Sequence, residues 1–250
     1  MSSSFGAAAT AYAEHRPDYA QAAVRWAIEP AQDLNALAAR PGLRVLDLGA
    51  GTGKLTAALV AAGLDVTAVE PDPAMLAELR RALPAVRARP GSAEAIPLPD
   101  GSADVVTCAQ AFHWFDHEVA LPEMARVLRP LGRIALVWNT RDDSQGWVAE
   151  LTDTVIGRSE FRDDGVVAVT ASVDESGLFG PVERMSFAHV QLLGREDLVE
   201  LVRSRSQCAV LSEDERTPVL ERVEALFDAH STDSVLAMPY VTECFRAVRR

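Results

Sequence analysis

RVLDLGAGTGKLT, residues 44–56, decides how the chain is read. Val45, Leu46 and Leu48 form a short apolar run around Asp47, and three alternating glycines follow: Gly49, Gly51 and Gly53. A helix-like pattern then occupies residues 54–62. A strand that passes through a tight backbone turn into a helix is how open α/β sheets bind nucleotide-like ligands. The dinucleotide fingerprint wants a further glycine where Lys54 stands. Asp47 places a carboxylate at the mouth of the loop, where it repels a pyrophosphate and favours a cationic ligand.

Residues 64–70, LDVTAVE, read as a second strand. It closes on Glu70, roughly 20 residues beyond the loop, where an acid accepts hydrogen bonds from ribose hydroxyls and repels a 2′-phosphate. Alone, Glu70 reads as a solvated acid at a strand end; at this spacing from the loop it reads as a ribose ligand. A sulfonium-bearing adenosine such as S-adenosylmethionine, with an amino group and no phosphate, suits both acids. Pro71 and Asp72 open the next helix, with Met75, Leu76, Leu79 and Leu83 at helical spacing.

The rest of the chain alternates strands and helices, which implies an α/β fold around a mostly parallel sheet. Helical patterns occupy residues 12–29, with Val24, Trp26 and Ile28, and residues 31–40, stopped by Pro41-Gly42. Further strands are expected near 85–88 and at 104–109, 133–138, 182–193 and within 235–248. A helix is expected at 121–128 and two more within 195–230, with helix, irregular chain and a turn (177–180) spread over 142–180.

Composition narrows the function. A chain of 250 residues with 48% hydrophobic content can bury a full core without division into domains. The net charge of −12 and the scattered arginines argue against a nucleic-acid partner. Cys108, Cys208 and Cys244 are too dispersed for a disulfide framework, and no metal site is expected. No targeting segment or membrane-length apolar stretch is visible, so the expected address is cytoplasmic.

RVLDLGAGTG, VTAVEPD, GSAEAIPLPDGSADVV, AQAFHWF and LRPLGRIALVW, in this order over residues 43–141, resemble the class I S-adenosylmethionine-dependent methyltransferases. The likeness is to the small-molecule, type 11 branch that includes trans-aconitate methyltransferase and the ubiquinone/menaquinone-type enzymes. YAEHRPDY, residues 12–19, resembles the N-terminal helix of that branch. The resemblance implies a Rossmann-like three-layer sandwich whose seven-stranded, mostly parallel sheet has an antiparallel C-terminal edge. It also implies one domain over 1–250: a helical lid at 1–40, a core at 43–141 and a substrate cap at 142–250.

On the same basis, S-adenosylmethionine is the expected cofactor. Its expected contacts are Tyr12, Arg16, Asp47, Gly49, Ala50, Gly51, Glu70, Pro71, Ser92, Ala93, Glu94 and Gln110. Arg16 would pair with the methionine carboxylate under Tyr12, or be a solvated helix arginine. Ser92 replaces the usual Asp beside adenine and accepts more weakly than a carboxylate. Glu94 contacts adenine or is a helix-turn acid.

His113 is the catalytic candidate, as a base for a hydroxyl or thiol acceptor, a substrate contact or a packing residue. Trp114, Trp138 and Arg141 are the substrate candidates. Trp138 is otherwise core, and Arg141 otherwise a loop partner of Asp142 or Asp143. The expected partner is a small-molecule methyl acceptor attacked by in-line displacement, with the chain a monomer or homodimer. A cofactor-binding module without turnover and a nicotinamide-dependent oxidoreductase are the alternatives.

Overall fold

The computed structural model describes residues 17–29, 42–153, 171–203, 208 and 210–250. Tyr12, Arg16 and the helix expected at 31–40 lie outside the described residues. In chain order the elements are α1 (Gln21–Ile28), β1 (Arg44–Leu48), α2 (Lys54–Ala61), β2 (Asp65–Glu70), α3 (Pro73–Ala82), β3 (Arg87–Pro90) and β4 (Ala103–Ala109). They continue with α4 (His117–Val127), β5 (Leu128–Arg141), α5 (Gly146–Leu151), β6 (Glu183–Leu193), α6 (Arg195–Arg203), α7 (Glu213–His230) and β7 (Leu236–Val248).

The strands form one seven-stranded sheet in the order β3-β2-β1-β4-β5-β7-β6. β1 to β5 pair in parallel, with β1 central between β2 and β4. β7 runs antiparallel to both β5 and β6. The last two strands therefore make the expected antiparallel edge, with β7 inside and β6 outermost. The order reverses at β1, so the connections that leave β1 and β4 run to opposite faces of the sheet, the kind of place where such sheets take ligands.

Alternation sorts the strands' side chains onto two faces. Leu46, Leu48, Val106, Cys108, Leu136 and Trp138 pack under α4 with Leu121 and Met124. Val45, Val66, Val105, Val137 and Cys244 pack on the other face against α1 and α2. A third cluster joins α5, α6 and α7 to the start of β7 through Leu236, Met238 and Tyr240.

Local chemistry sets the boundaries that the sequence pattern placed differently. α4 starts at His117, earlier than the expected 121, because the Asp116 carboxylate caps it by accepting from Glu118 N–H at 3.2 Å. β3 sits at Arg87–Pro90 rather than 85–88, in register with Thr67 to Glu70. β5 begins at Leu128 rather than 133 and crosses an irregularity where Leu131 holds φ +63°.

Candidate active site

The glycine loop is tied to its neighbours by backbone. Gly49 and Ala50 N–H both donate to Val69 O, at 2.9 and 3.1 Å, which pins the loop to the end of β2. Gly49 holds φ +66°, and a Cβ there would stand 2.8 Å from Ala111 Cβ, so only glycine lets the loop meet the turn after β4. Gly51, at φ +57°, faces open space: a Cβ would find nothing nearer than Met75 Sδ at 4.0 Å.

Glu70 ends β2 as the sequence spacing requires. One carboxylate oxygen accepts from Gly51 N–H and the other from Asp72 N–H, each at 2.8 Å. Burial raises its pKa. Pro71 follows in the turn, and Asp72 caps α3 by accepting from Ala74 and Met75 N–H at 2.8 and 3.0 Å.

Asp47 requires a correction. It was expected at the mouth of the loop, but it is only 1% exposed. Its oxygens accept from Thr56 Oγ1 at 2.5 Å and Thr107 Oγ1 at 3.1 Å, so it clamps β1 to α2 and β4 from beneath the loop. Burial lifts its pKa to about 6 against the lowering effect of the two hydroxyls.

Ser92, Ala93 and Glu94 form a tight turn between β3 and β4, with Ser92 bridged to Ala95 and Ala93 buried. Glu94 accepts from Asp116 N–H at 3.0 Å, which ties this turn to the start of α4. Gln110 leaves β4 at φ +55°; its backbone N–H donates to Val137 O at 3.0 Å and its side-chain amide to Asn139 O at 2.8 Å.

His113 and Trp114 lie on the 3-10 turn Phe112–Trp114, with Trp114 70% exposed. Trp138 is corrected from acceptor pocket to core. It is fully buried between the edges of Phe112 and Phe245, and its Nε1–H points at His113 Nδ1, 3.5 Å away. Arg141 donates from Nε to Thr152 Oγ1 at 3.1 Å.

Sequence reasoning missed Asn139, which gathers three segments. Its backbone carbonyl accepts from Gln110, its Nδ2 donates to Asp18 O at 3.1 Å, and its Oδ1 accepts from Thr242 Oγ1 at 2.6 Å. Asp18 also takes Lys54 Nζ at 2.9 Å, so the segment before α1 closes over the ligand edge from α2 to β5. The only sequence signal was a polar residue following the apolar run of β5. Among the described residues, no cluster of His, Cys, Asp and Glu is placed to hold a metal ion. No described helix is long and apolar enough to cross a membrane.

Residues 46–136 match a family described as a methyltransferase domain. An uncharacterised methyltransferase of Mycobacterium tuberculosis is 48% identical over 250 residues, 99% of this chain and 96% of that one. An uncharacterised methyltransferase-like protein of Schizosaccharomyces pombe is 42% identical over 188 residues, 74% of this chain and 71% of that one. Among solved structures, a type II methyltransferase from Anaeromyxobacter dehalogenans superposes with a TM-score of 0.63 at 24% identity, covering 94% of this chain and 97% of that one. The chain belongs to the methyltransferase family, and its fold is the Rossmann-like fold of those enzymes.

Proposed function

We propose that the chain moves a methyl group from S-adenosylmethionine to a small-molecule acceptor by in-line displacement. The carrying observation is the pairing of Gly51 with Glu70. A carboxylate offers about four lone-pair sites, and two are used here by backbone N–H groups, which leaves acceptor capacity for the two hydroxyls of a ribose. The open space before Gly51 leaves room for a ligand close to the backbone.

The residues present fit that cofactor, which when bound supplies an electrophilic methyl carbon on a positively charged sulfur. Gly49, Ala50 and Gly51 would line its approach, Glu70 and Pro71 its sugar, and Ser92, Ala93 and Glu94 its base. Gln110, held by Val137 and Asn139, would border the methionine portion; Tyr12 and Arg16, outside the described residues, are added to its contacts by the family resemblance alone. Asp47 adds a buried negative charge beneath the loop, which favours a cation above it. Methyl transfer needs alignment and exclusion of water more than protein covalency. His113, Trp114 and Arg141 would contact the acceptor.

Isothermal titration with S-adenosylmethionine, S-adenosylhomocysteine and a nicotinamide dinucleotide tests the cofactor. The first two bind and the third does not; no response to either adenosine compound at millimolar levels overturns the reading. Gly51→Val abolishes binding; because φ at Gly51 is +57° the substitution also strains the loop, and a circular dichroism spectrum like that of wild type assigns the loss to the blocked approach rather than to unfolding. Transfer of a labelled methyl group into a metabolite extract separates an enzyme from a module that only binds.

A further inference from the structure

The two edges of the sheet are built differently. β3, at one edge, is four residues long and carries Arg87, Arg89 and Pro90. Shortness, charge and proline are the devices that keep an edge strand from pairing with another chain. β6, at the other edge, runs for 11 residues. Its stretch Met185–Leu193 contains no Asp, Glu, Lys, Arg or Pro.

β7 takes one side of β6 along its whole length, from Glu183 opposite Arg246 to Leu193 opposite Leu236. Among the described residues no strand pairs with the other side. Alternate residues of an antiparallel strand aim their backbone N–H and C=O groups to opposite sides, so every second residue of β6 turns its donor and acceptor away from β7. The side chains of Ser186, Ala188, Val190 and Leu192 share one face and are all exposed, Val190 by 56% and Leu192 by 70%. Ala188, Val190 and Leu192 lie beside Val241, Pro239 and Ala237 of β7, so the apolar row is two strands wide.

The strand is complementary to a second copy of itself. Antiparallel pairing about a two-fold axis at His189 sets Met185 opposite Leu193, Ser186 opposite Leu192, Phe187 opposite Gln191 and Ala188 opposite Val190. The stretch without charge then pairs with itself from end to end. Beyond it, Glu183 of each copy falls opposite Arg195 of the other, an attractive pair at both ends of the seam. Both side chains are partly exposed beside their partners within the chain, Arg246 and Asp228. Centring the axis on Val190 instead would set Glu183 against Asp197, and centring it on Ala188 would set Glu183 against Leu193 and Arg184 against Leu192.

We propose that this edge is the interface of a homodimer, in which two β6 strands join antiparallel about His189 and the two sheets continue as one. Association closes at two copies, because β3 is blunted and each chain has one such edge. The edge is a band about 35 Å long and about 10 Å deep. That is smaller than the roughly 800 Å² per partner of a standard interface, so the dimer is concentration-dependent rather than obligate. The dimer does not depend on the methyl-transfer reading.

Two measurements on the full chain test it. Sedimentation equilibrium at about 0.15 M salt, where repulsion between two negatively charged copies is screened beyond about 8 Å, reads the association. A monomer–dimer equilibrium is expected between about 1 μM and about 1 mM, and Val190→Lys weakens it by about tenfold or more while the circular dichroism spectrum stays that of wild type. Disulfide trapping reads the register. Ala188→Cys mixed with Val190→Cys under mild oxidation gives a cross-linked pair, because directly opposed Cα atoms stand about 4.5–5.5 Å apart. Either variant alone places its cysteines on a diagonal, about 7–8 Å apart, and cross-links poorly. The native Cys108, Cys208 and Cys244 are buried and do not compete. A monomer across the whole range, an assembly that grows past two, a dimer as tight in Val190→Lys as in wild type, or a dimer that the mixed cysteines fail to bridge overturns the proposal.

Discussion

Asp47 and Glu70 are acids near one loop, and burial separates their tasks. Both were singled out in the sequence, yet only Glu70 ends where its spacing suggested; the position of Asp47 depends on Thr56 and Thr107, the latter 60 residues away. Glu70→Ala is expected to weaken S-adenosylhomocysteine binding by about 1–3 kcal/mol in titration calorimetry, and an unchanged affinity removes Glu70 from the ribose. For Asp47 the folded pKa of about 6 stands above the ordinary 3.8, so the native state binds this proton more tightly than the unfolded chain. Its contribution favours folding at low pH and is lost as pH rises from about 4 to about 6, a change of about 3 kcal/mol. Asp47→Asn should flatten that part of the pH–stability curve while keeping a hydrogen-bonding side chain between the two threonines. A curve identical to wild type between those pH values would show the carboxylate to be unperturbed.

At the level of elements, the strands were legible because their burial on both faces demands continuous apolar runs, as in β4, where Ala103 to Cys108 are all buried. Boundaries were less legible because they are set by single contacts. The Asp116 cap starts α4 early, and the bend near Leu131 lets β5 begin before Gly132. Gly132 has a steric reason that no periodicity shows: a Cβ there would stand 2.9 Å from Arg129 O and 3.0 Å from Asp104 O. Gly132→Ala should therefore cost about 1–3 kcal/mol by forcing β5 away from β4, read as a lower denaturant midpoint with unchanged slope. A wild-type midpoint would mean that the strand start yields without strain.

Across the whole molecule, Asn139 joins the segment before α1, the end of β4 and the inner antiparallel strand β7. Its loss leaves Asp18 O and the Thr242 hydroxyl without their partner, so Asn139→Ala should lower stability by about 1–3 kcal/mol. It should also speed amide exchange around Asp18 and Tyr19; protection equal to wild type would show that the segment is held by other contacts. The glycine loop, the acid at the tip of β2 and the alternation of strand and helix that makes β1 to β5 parallel were legible in residues close together in sequence, since a strand, its turn and its helix are local objects whose period and spacing can be read directly. The meeting of Asn139 with Gln110, Asp18 and Thr242 was decided only by the tertiary structure. β7 enters between β5 and β6, and that register brings together side chains up to 103 residues apart, which no local pattern connects. The same long-range packing buried Trp138 and turned its N–H toward His113, 25 residues earlier in the chain.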